Sequence, residues 1–167
     1  MKFIADGMLG KLTRWLRMLG QNVEYSAQLQ DDELIKTAKN NHKILLTRDL
    51  ELHKKALSKG IESFYVEGSS GAEKLAKLAK RYGFSLEIDM KRSRCPKCNT
   101  QILATPKEKL EGKIEKNTFN HYDEFWKCPN CDSVYWQGAH WKGILATLEE
   151  AKKLESSKNL TWIKEPL

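Results

Sequence analysis

Lys43 to Asp49, KILLTRD, is the stretch that most constrains how this chain folds. Ile44, Leu45, Leu46 and Thr47 follow one another without polar alternation, which predicts a strand buried on both faces, as in a parallel sheet covered by helices. A helical pattern resumes at Leu50, so Asp49 falls at the strand's carboxyl end, the edge where open α/β sheets bind ligands. Asp49 suits two roles there: a carboxylate facing a ligand, or the N-cap of the helix beginning near Leu50.

The flanking sequence repeats the same unit. Lys2 to Ala5 is a short apolar run ending in Asp6-Gly7. Met8, Leu12, Trp15, Leu16 and Leu19 then recur at helical spacing, with Lys11, Arg14 and Arg17 between them and Gly20 closing the helix. A strand is expected at Asn22 to Tyr25, and Asp31-Asp32-Glu33 opens a helix to about Asn40. After KILLTRD come a helix from Leu50 to Ser58, a strand near Ser63 to Val66, and a helix over Ala72 to Tyr82. Strand and helix alternate through residues 1 to 85 or so, which predicts an α/β domain with a parallel sheet and right-handed crossovers.

From Met90 the character changes. Cys95-Pro-Lys-Cys98 and Cys128-Pro-Asn-Cys131 are all four cysteines of the chain. Each CPxC is a tight knuckle aiming two thiolates at one point, and together they offer the closed tetrahedral set of a structural Zn²⁺. Iron in a similar site and disulfides are the weaker alternatives, and four sulfurs leave His121 and His140 outside the shell. The segment between the knuckles resembles the hairpin insert of a zinc ribbon. Tyr122, Phe125, Trp126, Tyr135, Trp136 and Trp141 crowd the region, either as its small core or as stacking surfaces for bases. An amphipathic helix from Trp141 to Leu154 carries Ile144, Leu145, Leu148 and Ala151. Trp162 and Ile163 in the tail are expected to fold back on an apolar surface. The organisation read from the chain is therefore a domain over residues 1–90, a zinc ribbon over 91–140, and a C-terminal helix and tail over 141–167 that pack on the rest.

The net charge of +7 and a pI near 9.2 suit a phosphate-bearing partner. No apolar run approaches the roughly 20 residues that span a bilayer, and the N-terminus lacks the apolar core of a signal peptide; the expected location is the cytoplasm, with no membrane partner.

Asp6, Asp31 or Asp32, and Asp49 each stand where a helix begins after a strand or loop. With strands one and three adjacent, Asp6 and Asp49 share one sheet edge. Converging carboxylates there imply a hard cation, Mg²⁺ or Mn²⁺, suited to phosphodiester cleavage; otherwise each is simply an N-cap. The sequence lacks a second Asp two residues after Asp6, a Gly-rich phosphate loop and a GxSxG elbow, which argues against other familiar hydrolase classes.

DGMLGKLTRWLRMLG at Asp6 to Gly20, DDELIKTAKNNHKILLTRD at Asp31 to Asp49, the two CPxC knuckles and VYWQGAHW at Val134 to Trp141 resemble the Mut-seven C-terminal RNase family. The resemblance implies a PIN-like α/β/α sandwich followed by a zinc ribbon, cutting single-stranded RNA with Mg²⁺ or Mn²⁺. It implies catalytic roles for Asp6, Asp31, Asp32 and Asp49, with Asp6, Asp32 and Asp49 as ligands of the catalytic metal. Arg48 lies beside that site, and Lys11, Arg14, Arg92 and Arg94 are assigned with it to the substrate. Glu33, Glu51 and Glu67 are candidates for a fourth acidic residue. Two other readings fit the same sequence: a non-catalytic RNA-binding or ribosome-associated module, and a phosphatase-like small-molecule hydrolase.

Overall fold

The computed structural model describes residues 1–157 and 160–161; the expected fold-back of Trp162 and Ile163 lies outside the described residues. Strands β1 (Lys2–Ala5), β2 (Asn22–Tyr25), β3 (Ile44–Thr47) and β4 (Ser63–Tyr65) form a parallel sheet in the order β2-β1-β3-β4. Helices α1 (Gly10–Met18), α2 (Asp31–Asn40), α3 (Leu50–Ser58) and α4 (Gly71–Tyr82) alternate with them. The register pairs Ala5 with both Tyr25 and Leu46, and Thr47 with Tyr65. β3 is thus an interior strand beside β1, as its unbroken apolar run requires.

Side chains alternate across the sheet and build two cores. Phe3, Ala5, Val23, Leu46 and Phe64 face α1 and α4, while Ile4 and Leu45 face Leu34, Ile35 and Ala38 of α2 and Leu52 and Ala56 of α3. The long helix α6 (Trp141–Glu155) joins the first core: Leu148 and Ala151 are buried there, with Ile144 and Leu154 packed against them. The cysteine-bearing segment is therefore inserted between α4 and a helix that returns to the sheet domain. Among the described residues no helix is long and apolar enough to cross a membrane.

Three helical positions differ from expectation. Met8 is 71% exposed, because the chain after Asp6 first forms a short 3₁₀ turn (Gly7–Leu9) that puts Leu9 inward instead. Leu145 faces solvent, since α6 uses only Ile144, Leu148, Ala151 and Leu154 against the core. Arg17, expected on the polar face of α1, is only 5% exposed, for a reason that lies in the inserted segment.

That segment contains an antiparallel sheet of β5 (Leu103–Thr105), β6 (Phe125–Lys127) and β7 (Val134–Tyr135) in that order, with a 3₁₀ turn (Lys107–Leu110) and a short helix α5 (Lys116–His121) between β5 and β6. α5 is too short to show an amphipathic period, and it buries none of its residues. Phe125 and Leu110 are buried, whereas Trp126 and Tyr135 pack over the cysteines. Trp136 stays 38% exposed and meets the Tyr122 and Phe125 rings at tilted angles.

Candidate functional site

The strand order places Asp6, Thr47 and Asp49 on one edge. Asp6 extends β1 by one residue and is 6% exposed. Its Oδ1 accepts from the Met8 amide at 2.8 Å; its Oδ2 accepts from the Thr47 hydroxyl and from the Arg48 amide at 3.2 Å. Thr47 Oγ1 in turn accepts from the Asp49 amide at 2.9 Å. Thr47, fully buried, thus joins the two aspartates through one hydroxyl. Its importance was readable only as a hydroxyl at a strand end beside an acid, and the sequence reading passed over it.

Asp49 caps α3 with one oxygen, Oδ1, which accepts from Glu51 and Leu52 amides at 2.8 and 3.0 Å. The two uses weighed for it are therefore compatible, because capping occupies one carboxylate oxygen only. Asp31 and Asp32 open α2, both exposed. Asp32 turns to α3, 3.0 Å from Lys55 Nζ and 3.8 Å from Lys59 Nζ, and the Lys55 hydrogen bond lowers its pKa. Among the described residues the four cysteines are the only set of three or more metal-ligating side chains drawn together, so Asp6, Asp31, Asp32 and Asp49 do not form a closed carboxylate cluster. Glu33 is taken by a capping box, Glu51 by Lys54, and Glu67 by the buried Lys77, which also meets Glu73 at 3.1 Å. Of the basic residues assigned to substrate, Lys11, Arg14 and Arg48 are exposed without an ion pair among the described residues. Arg92 pairs with Asp89 at 3.2 Å, and Arg94 donates to the Asn99 carbonyl at 2.7 Å.

The cysteine centre is built from two equivalent knuckles. Asn99 and Asp132, each just after the second cysteine, take left-handed backbone angles (φ 68° and 57°) that Asn and Asp tolerate. Their amides donate to Cys95 and Cys128 carbonyls at 2.9 and 3.1 Å, and the Cys95 and Cys128 amides donate to Thr100 and Ser133 carbonyls. Cys95 and Cys131 sulfurs lie 3.5 Å apart, Cys98 and Cys128 sulfurs 3.3 Å, and all four within 4.8 Å. These are not disulfide lengths, which are about 2 Å; they approach the edge of roughly 3.8 Å that a tetrahedron with 2.3 Å Zn–S bonds requires. The Thr100 hydroxyl holds the Cys98 thiol down at about 5, and the Ser133 hydroxyl lowers Cys131, while burial pushes Cys128 up to about 12. A cation is what would bring the last into thiolate form. The donor set fits zinc.

Arg17 explains how this centre meets the sheet. Its Nε and Nη2 donate to the Val23 carbonyl of the edge strand β2 at 3.0 and 2.8 Å, and its Nη1 to the Pro96 and Lys97 carbonyls of the first knuckle at 2.9 and 3.1 Å. Asn99 completes the junction, its Oδ1 accepting from the Val23 amide at 3.1 Å and its Nδ2 donating to Asn22 Oδ1 at 2.7 Å. Burial lowers the Arg17 pKa, against the raising effect of Cys95 and Cys98. Gly20, at φ 81°, lets the segment pass close: a Cβ there would sit 3.1 Å from the Arg92 carbonyl.

An open parallel sheet with hydrogen-bonded aspartates on its carboxyl edge, tied to a four-cysteine centre, defines an α/β protein with a zinc ribbon-like module. The chain belongs to the Mut7-C RNAse domain family, whose model matches residues 1–148. That match spans the sheet and all four cysteines; it supports a ribonuclease function, with RNA as the substrate implied. Comparison with curated proteins and with solved structures found no match.

Proposed function

We propose that the chain is a divalent-metal-dependent endoribonuclease acting on single-stranded RNA, through the PIN-like edge on which Asp6 and Asp49 both lie. The observation that carries this reading is the Asp6–Thr47–Asp49 chain of hydrogen bonds in a member of an RNase family. Three donors hold Asp6 in one orientation, and a carboxylate with about four lone-pair sites keeps capacity for one more bond. Asp49 offers the oxygen that capping leaves over. Hard oxygen donors of this kind suit Mg²⁺ or Mn²⁺, with Asp31 or Asp32 as the third ligand across the edge. When bound, such a cation supplies a water of lowered pKa and charge neutralisation on the phosphate. The protein's own share is orientation: Thr47 fixes the Asp6 rotamer, the Arg48 amide adds a second donor, and the side chains of Arg48 and Lys11 stand free for phosphate.

The test is cleavage of labelled single-stranded RNA with Mn²⁺, comparing wild type with Asp6→Asn and Asp49→Asn, after each is shown to be folded and zinc-loaded. Wild-type cleavage that both variants lose, with RNA still bound, is expected. Binding by all three without cleavage by any would leave a non-catalytic RNA-binding module in its place.

A further inference from the structure

Between α1 and the first knuckle lies a cleft of about 510 Å³, within the range of roughly 300 to 1,000 Å³ usual for ligand sites. Three cations line it, Arg14, Arg17 and Lys97, and no carboxylate does. Arg17 is committed to the Val23, Pro96 and Lys97 carbonyls, so its guanidinium donors are already spent within the protein. Arg14 and Lys97 are exposed, and neither has an ion pair among the described residues. Thr13, also lining the cleft and 1% exposed, has a hydroxyl without a hydrogen-bond partner.

The cleft also borders the acidic edge. Tyr25 Oη donates to the carbonyl of Gly7, the residue after Asp6, at 3.0 Å. A Cβ on Gly10 would lie 2.9 Å from that hydroxyl, so the wall exists in this form only with glycine at position 10. Tyr135 closes the other side, over the cysteines. Two unpaired cations, two phenol rings and an unpartnered hydroxyl, with no anion among them, make a wall suited to a polyanion carrying aromatic bases.

We propose that this cleft holds the RNA strand as it leaves the Asp6 edge, with Arg14 and Lys97 each on a backbone phosphate and Tyr25 and Tyr135 flanking the nucleosides between them. The inference rests on the reading of the chain as a single-strand ribonuclease, and it gives the first knuckle a direct part in substrate binding. Lys97, between the two cysteines, reaches RNA only when the knuckle is closed.

The test is binding of a fluorescein-labelled oligouridylate by anisotropy across a KCl series, using the full, zinc-loaded chain without added Mg²⁺ or Mn²⁺. Single-strand binding weakens with a log–log salt slope of about 0.7 per neutralised phosphate. Arg14→Gln and Lys97→Gln are each expected to flatten the slope by about 0.7, and the double variant by about 1.4. Lys36→Gln, exposed on α2 across the sheet, is expected to match wild type, and 5-bromouridine cross-links should map to Tyr25 or Tyr135. Slopes for Arg14→Gln and Lys97→Gln equal to that of Lys36→Gln, or no RNA binding by wild type, would overturn the proposal. Asp49→Asn separates the two readings: it should lose cleavage in a parallel assay with Mn²⁺ and keep the full slope in the metal-free titration. If the cleft variants flatten the slope while wild type cuts nothing, the cleft stands and the nuclease reading falls.

Discussion

Replacing Arg17 with Met keeps most of the buried stem and removes the guanidinium, which leaves the Val23, Pro96 and Lys97 carbonyls without their donor. A hydrogen bond to a charged group contributes about 1.5 to 3 kcal/mol net, and an orphaned buried acceptor costs about 1 to 3 kcal/mol. Three acceptors would then suggest a loss well above 5 kcal/mol. Two effects reduce it: Val23 receives two bonds on one oxygen, and the variant no longer carries the burial of a cation whose pKa is already lowered by desolvation. A loss of about 3 to 5 kcal/mol is the expected outcome, from carbonyls left without a donor and not from an unpaired charge. The knuckle contacts are part of that sum, so about 2 kcal/mol of it should appear as roughly 30-fold weaker zinc binding. Urea unfolding in excess zinc, followed by circular dichroism, reads the first quantity, and competition with a zinc chelator reads the second. Arg17→Lys tests geometry apart from charge: a single ammonium cannot reproduce the fork that reaches strand and knuckle together, so it should lose most of the same stability. Unfolding of Arg17→Met within 1 kcal/mol or so of wild type, with zinc affinity unchanged, would refute the reasoning, because a buried hydrogen-bonded cation would then contribute less than its replacement.

Thr47→Val is nearly isosteric but removes the hydroxyl between the aspartates; we expect a stability loss of about 1 to 3 kcal/mol and a fall in cleavage rate that exceeds any fall in RNA affinity. Unfolding and single-turnover cleavage measured on the same preparation check both, and a variant that cuts at the wild-type rate would remove Thr47 from the site. Glu73 accepts from the Ser69 amide and pairs with Lys77, and its pKa is lowered from 4.5, the amide being the larger cause. A lowered folded pKa means the contribution is present above 4.5 and lost as pH falls through the folded value. Urea midpoints from neutral pH to pH 3 or so should therefore drop more steeply for wild type than for Glu73→Gln, and parallel curves would count against it.

Much of this was legible in the sequence because the interactions are local. The apolar run of β3, the period of α2 and the glycine after α4 depend on neighbours along the chain, and the observed bounds Asp31–Asn40 and Leu50–Ser58 coincide with the expected ones. The CPxC spacing likewise carries its own geometry. Arg17 was misplaced because a helical period assigns a charged residue to the solvent face, whereas its partners, Pro96 and Lys97, stand some eighty positions away in sequence. The Asp31-Asp32 pair was ambiguous for a similar reason. Which of them turns to Lys55 and Lys59 depends on how α2 and α3 lie side by side, and no local pattern encodes that.

The junction at Val23 has a consequence for the chain's behaviour before it is complete. β2 is an outer strand of the sheet, and an uncovered outer strand is a template on which a second chain can pair. The outward amide of Val23 is taken by Asn99 and its outward carbonyl by Arg17, and Asn99 is itself part of the first knuckle, its amide bonded to the Cys95 carbonyl. The cysteine knuckle is therefore also an edge guard. A chain that folded its sheet while the first knuckle was still unformed would leave that edge open to pairing with a second chain.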